Sequence, residues 1–203
     1  GLAGQAICGI DVGGTDIKAV LVVDGTCIAY KEYDWFPANF TRSIQLIEPI
    51  RLVVRVLQAR LATHRQPPTA QALYLPLIEQ AMDKHATDET MQNALHELAS
   101  AGLAAHEKFN ALGLCFPDVV VKNKIVGGEV YKTRGIRNNP SIDYEADFAQ
   151  LTHLDEQLKS AVLPSGAVRI INDGPMASFT AAVEMAFSDE APKLAGGVFA
   201  HTL

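Results

Sequence analysis

The 203-residue chain has few cysteines, no clustered positive charge and no long apolar run, and each shortage narrows what it can be. Its three cysteines, Cys8, Cys27 and Cys115, are widely spaced and odd in number. Each lies in an apolar, strand-like stretch and is expected as a buried free thiol rather than part of a disulfide framework. No CxxC pair occurs, and His64, His85, His96, His106, His153 and His201 show no ligand spacing, so no metal held by Cys and His is expected here. The opening residues lack the basic and apolar regions of a signal peptide, and no stretch approaches the roughly 18 apolar residues that span a bilayer. No membrane contact is expected, and the cytoplasm is the expected compartment. With 17 Lys and Arg against 23 Asp and Glu, the net charge is −6. Nucleic-acid binding needs clustered Lys and Arg to neutralise phosphates, so no nucleic-acid partner is expected. Internal repeats and low-complexity tracts are missing as well.

What remains is 48% hydrophobic, which is enough for a core and excludes wholesale disorder. The length suits one large domain or two small ones. Residues 6–12 are apolar and β-branched and read as a buried strand that ends in Asp11-Val12-Gly13-Gly14-Thr15. A second strand follows at 17–23. Asp24-Gly25 is a hairpin turn signal, because both central residues of such a turn need positive φ. A third strand is predicted over 26–35, so the chain opens as an antiparallel meander.

A helical region comes next. Pro49 fits a first helical turn, with Ile50, Val53, Val54, Leu57 and Leu61 on one face and Arg51, Arg55 and Gln58 away from it. Residues 66–69 break this helix. A second is expected to start near Pro76 and a third after Thr87-Asp88, ending near Gly102. Strand character returns at 111–116, short strands flank Lys122-Asn123, and 133–141 is loop-like. The apolar stripe Phe148, Leu151, Leu154, Leu158 and Val162 predicts a helix over 144–162. A short buried strand over 167–171 ends at Asn172-Asp173. Pro175 opens a further helix, and 196–203 reads as another strand.

Two features carry chemistry. The glycine turn at Gly13-Gly14 leads into a strand, so it is not a dinucleotide-binding turn, and it lacks the Gly-Lys-Ser/Thr of a P-loop. A tight hairpin whose backbone N–H groups approach phosphate oxygens fits, and Asp11 just before it could then hold Mg²⁺ through water. A plain glycine hairpin beside an exposed Asp11 fits too. Asn172-Asp173 lies at a strand end before a helix, where a carboxylate can accept a proton from a substrate hydroxyl or simply cap the helix.

Taken together, Gly9-Ile-Asp11-Val-Gly13-Gly14-Thr15-Asp-Ile-Lys18 resembles the phosphate-binding hairpin of the ROK family of sugar kinases and repressors, within the sugar kinase and actin superfamily. Val168-Arg-Ile-Ile-Asn172-Asp173 resembles that family's strand–Asn-Asp–helix segment, and Gly113-Leu-Cys-Phe-Pro117 lies between the two as its Gly-and-Pro stretch does. The resemblance implies an α/β, RNase H-like (actin-like ATPase) domain. Its mixed sheet has three antiparallel strands and then parallel ones, enlarged here by a helical insertion at about 42–106. It implies an ATP-dependent sugar kinase: Asp11 assists Mg²⁺, Gly13, Gly14 and Thr15 contact ATP phosphates, Asn172 binds a sugar hydroxyl and Asp173 is the general base. Asp118 replaces the family's glycine after Pro117, close to the sugar, and is expected among the substrate contacts. Gly174-Pro175 replaces the usual Ala-Asn.

The family's second phosphate loop and its zinc motif do not occur in this sequence. Residues 1–193 are therefore expected to be one lobe and 194–203 the first strand of another, with Gly1 and Leu203 the edges of a fragment. A sugar-sensing regulator of the same family and a sugar-binding pseudoenzyme are the alternatives. The helical region offers a packing surface for a homodimer.

Overall fold

Alternating apolar residues and a pair of left-handed turn residues build the first sheet of the protein, described here from a computed structural model. The structure describes residues 3–103, 106–127 and 133–172. The expected general base Asp173, the Gly174-Pro175 link, the helix from Pro175 and the strand over 196–203 lie outside the described residues. Strands β1 (Ala6–Val12), β2 (Asp16–Val23) and β3 (Thr26–Asp34) form the antiparallel meander. Asp24 and Gly25 take φ of 52° and 82°, as a two-residue hairpin between right-twisted strands demands.

Three helices follow: α1 (Ile44–His64), α2 (Pro68–Met82) and α3 (Asp88–Ser100). Thr87 caps α3 by accepting from the Thr90 N–H at 3.1 Å. Two helix starts differ from the sequence expectation. α1 begins five residues before Pro49, and α2 begins at Pro68, so Pro76 lies inside it. Pro76 is tolerated because it and Ala72, whose carbonyl it leaves unpaired within the helix, are both exposed to water. α1 is also buried around most of its circumference, with Leu52, Val56 and Ala59 buried beside the expected stripe. Gln58, expected on the polar side, is buried and donates to the Glu107 carbonyl at 2.7 Å.

The chain then enters β4 (Phe109–Phe116), the short hairpin β5 (Val120–Val121) and β6 (Lys124–Ile125), and α4 (Arg134–Arg137), a helical turn inside the expected loop. Lys122 and Asn123 both have positive φ, so this second hairpin uses the same turn chemistry as the first. The helix expected over 144–162 is split into α5 (Tyr144–Thr152) and α6 (Leu154–Leu158), and Val162 opens strand β7 (Val162–Asn172) instead of closing the helix. Val162 pairs with Phe109, an irregular excursion follows, and regular pairing resumes from Ala167 against Ala111.

The main sheet has the order β3-β2-β1-β4-β7. β1, β4 and β7 are parallel, and β2 and β3 run antiparallel to them. One face is formed by residues such as Cys8, Ile10, Ile17, Leu21, Leu114 and Ile170, all buried. α1 packs on it across β1, β2 and β3, and α6 packs on β7. Asp147 of α5 locks α1 in place: its carboxylate accepts from the Arg42 Nε at 2.6 Å and from the Ser43 N–H at 2.7 Å, at the first turn of α1. Burial raises the Asp147 carboxyl, but these donors outweigh it and hold the group below the usual carboxylate range. Of the three cysteines, Cys8 and Cys115 are buried as expected, whereas Cys27 on edge strand β3 is exposed. Burial pushes the Cys8 thiol up to about 12. Among the described residues no helix is long and apolar enough to cross a membrane.

Candidate active site

Three strand ends converge on one edge of the sheet. Asp11, near the end of β1, is opposite Cys115 of β4, and Phe116 of β4 is opposite Asn172 of β7. With strands about 4.8 Å apart, Asp11 and the end of β7 are separated by two strand spacings, roughly 10 Å. The glycine hairpin, Asp118 and Asn172 therefore share the carboxyl edge of the parallel strands, where ligands of α/β sheets bind.

The hairpin is tight and braced. The Gly13 N–H donates to the Asp16 carbonyl at 2.8 Å, and a Cβ added at Gly13 would stand 2.8 Å from that same oxygen. No larger residue fits without moving backbone. Trp35, just past β3, holds the turn from behind: its Nε1 donates to the Gly13 carbonyl at 2.9 Å and its N–H to the Thr15 carbonyl at 3.1 Å. Trp35 is buried and packs edge-to-face on Tyr33 and Phe40. Gly14 and Thr15 are exposed, and among the described residues neither N–H has an acceptor. Trp35 escaped the sequence reading because nothing local links position 35 to position 13; only the meander brings them together.

Behind the hairpin, two rows of residues cross the sheet face opposite α1. Val20, Gly9, Gly113 and Arg169 form one row; Lys18, Asp11, Cys115 and Ile171 form the next. They line a cavity of about 500 Å³. Gly9 and Gly113 leave the middle of the floor without side chains, and Asp11 is exposed, flanked by the cross-strand cation Lys18. Lys18, at the end of the hairpin motif, and Arg169, inside the Val168–Asp173 segment, carry no role that the sequence assigns.

Asp118 and Asn172 are joined directly. The Asn172 amide donates to the Asp118 carbonyl at 2.6 Å. The Asp118 carboxylate is buried and turned onto its own loop, accepting from the Val119 N–H at 2.6 Å and from the Thr133 hydroxyl at 3.5 Å. Burial raises its pKa above the usual carboxylate range, against the N–H of Val119, the Thr133 hydroxyl and the nearby Arg137 charge. Asn172 also lines a second cavity of about 540 Å³, beside Asn123 and Arg169. Asn123, at the apex of the β5–β6 hairpin, fixes the end of β7. Its amide donates to the Val168 carbonyl at 3.2 Å and its side-chain oxygen accepts from the Ile170 N–H.

Among the described residues no group of three or more His, Cys, Asp or Glu side chains is placed to hold a metal ion. Any cation at this edge would have Asp11 as one hard oxygen ligand and would take the rest from water or substrate, the way Mg²⁺ is commonly bound. Comparison with known proteins gives no matching family model and no matching curated protein.

Proposed function

We propose that the chain is a lobe of an ATP-dependent sugar kinase of the ROK type. One observation carries the reading: the sheet runs β3-β2-β1-β4-β7, antiparallel then parallel, with the glycine turn and Asn172 on the same edge. That order and those directions are the ones expected of an RNase H-like domain of the actin-like class.

The residues at the edge suit MgATP. The exposed N–H groups of Gly14 and Thr15 can donate to phosphate oxygens, and the close approach at Gly13 keeps the turn narrow enough for backbone contact. Asp11 would hold Mg²⁺ through water. When bound, MgATP supplies the phosphoryl group and part of the charge neutralisation. The chain's own work is positioning and proton transfer. Asn172, held by the Asp118 carbonyl, would orient a sugar hydroxyl, and the next residue, Asp173, would take that hydroxyl's proton as it attacks. Trp35, through Gly13 and Thr15, keeps the phosphate hairpin fixed while this happens.

The test is sugar-dependent ADP release by the full-length protein across a panel of hexoses and amino sugars. Asp173→Asn is expected to lower the rate at least about 100-fold, in the range of a lost general base, while nucleotide binding persists. Retention of most of the rate by this variant would remove Asp173 from the chemistry. Sugar binding without any ADP release would favour the pseudoenzyme.

A further inference from the structure

A second concave site lies at the opposite end of the sheet. Arg55 of α1 and His106 and Lys108, on the approach to β4, line one cavity of about 630 Å³. β4 is 8 residues long, so this cavity is separated from the carboxyl edge by roughly 26 Å of strand. Among the described residues no Asp or Glu lines it, and neither Arg55 nor Lys108 takes part in an ion pair. In a chain of net charge −6, basic side chains gathered around one hollow without acidic partners are unexpected from composition.

Two ordinary explanations for the gathering fail. Cations often sit near a helix C-terminus to complement its unpaired carbonyls. Here the last turn of α3 is closed by its own chain: Leu103 N–H donates to the Leu98 carbonyl at 2.9 Å, and Gly102 N–H to the Ala99 carbonyl at 3.1 Å. The nearest acid in sequence, Glu107, does not neutralise its neighbours either. Its carboxylate pairs with Arg65, and its carbonyl is held by the Gln58 amide. That bond to a buried side chain fixes the backbone that carries His106 and Lys108.

We propose that this cavity binds a phosphate group, free or carried on a small phosphate monoester. A phosphate monoester carries about −1.5 to −2 at neutral pH and offers three acceptor oxygens. Arg55 supplies a planar fork of donors and Lys108 a second full charge. Leu95 and Ala99 of α3 give the hollow an apolar wall, and its volume exceeds what one phosphate needs, leaving room for an organic part. The proposal does not rest on the kinase reading.

Calorimetric titration of the full chain with inorganic phosphate, glucose 6-phosphate and succinate tests it. Saturable binding of phosphate or of glucose 6-phosphate is expected, and tighter binding of the latter would assign the apolar wall to the organic part. The double variant Arg55→Gln, Lys108→Gln should weaken it at least tenfold without changing the thermal midpoint of the unliganded protein, since both side chains are exposed. Arg51→Gln, on the same helix but outside the cavity and paired with Glu48, should leave it unchanged. No saturable binding of either phosphate compound, full affinity in the double variant, or equal affinity for succinate would overturn the proposal.

Discussion

The indole Nε1 of Trp35 donates to the carbonyl of Gly13 at 2.9 Å, tying the end of β3 to the turn between β1 and β2. The bond fixes the outward side of the hairpin by occupying its inward side. Trp35→Phe keeps a ring against Tyr33 and Phe40 but removes the donor. Chemical denaturation should show a loss of about 1 kcal/mol, the cost of a partly buried acceptor left without its partner. If the hairpin binds ATP, KM for ATP should rise several-fold with little change in KM for the sugar. An unchanged KM for ATP would separate the brace from function.

Asp147 makes a stability prediction. Asp147→Ala strands the buried Ser43 N–H at the first turn of α1, while the half-exposed Arg42 guanidinium regains water, and a loss of about 2 kcal/mol is expected. Because the carboxyl is held below its ordinary range in the folded state, its contribution is present above the usual carboxylate range. It fades as pH falls through the depressed value. The gap between wild type and Asp147→Ala should thus be widest near neutrality and close in acid. A gap that does not narrow as acid protonates the carboxyl would show that lost packing, not charge, sets the cost.

The sequence is a good guide where a local rule leaves one solution. Asp24-Gly25 and Lys122-Asn123 both appear as turn centres, and all four residues take positive φ. Thr87 caps α3, and β1 spans the expected residues. The misreadings come from rules that tertiary context overrides. Local rules place helix starts at Pro49 and near Pro76, yet each is carried inside a helix whose packing outweighs one missing bond. Val162 continues the spacing of Leu154 and Leu158, but pairing with Phe109 draws it into β7. Cys27 lies in an apolar run, yet β3 is an edge strand, and the residue is exposed. At the site, Asp11, the hairpin and Asn172 were legible as motifs. The brace from Trp35 and the hold of Asn123 on β7 were not, because they join residues 22 and 47 positions apart.

Lys31 of β3 is fully buried, and its ammonium donates to the Asp83 carbonyl at 2.6 Å. Burial lowers its pKa to about 8, against the pull of Asp83 and Asp34. Between about pH 8 and the ordinary lysine range near 10.4, the unfolded chain binds more protons than the folded one. Lys31 therefore makes stability rise with pH across that window. In Lys31→Met this contribution disappears, so the stability of wild type relative to the variant should climb from pH 8 to 10. A flat difference would place the charge in water.

Asp118 gives the opposite sign. Its carboxyl titrates above the ordinary carboxylate range in the folded state, so the folded chain holds the proton more tightly than the unfolded one. Its contribution is fully present below the unfolded value, near pH 4, and is lost as pH rises through the raised one. Asp118→Asn keeps the size and an oxygen for the Val119 N–H, but cannot ionise. Wild type should therefore lose stability relative to Asp118→Asn as pH rises from about 4 through the raised value, read from thermal midpoints at each pH. Asn172 is held by the Asp118 backbone carbonyl, not by the carboxylate, so the substitution should leave that bond in place. KM for the best sugar is then expected to change less than about threefold. A rise beyond tenfold at constant KM for ATP would instead make the carboxylate itself a substrate contact.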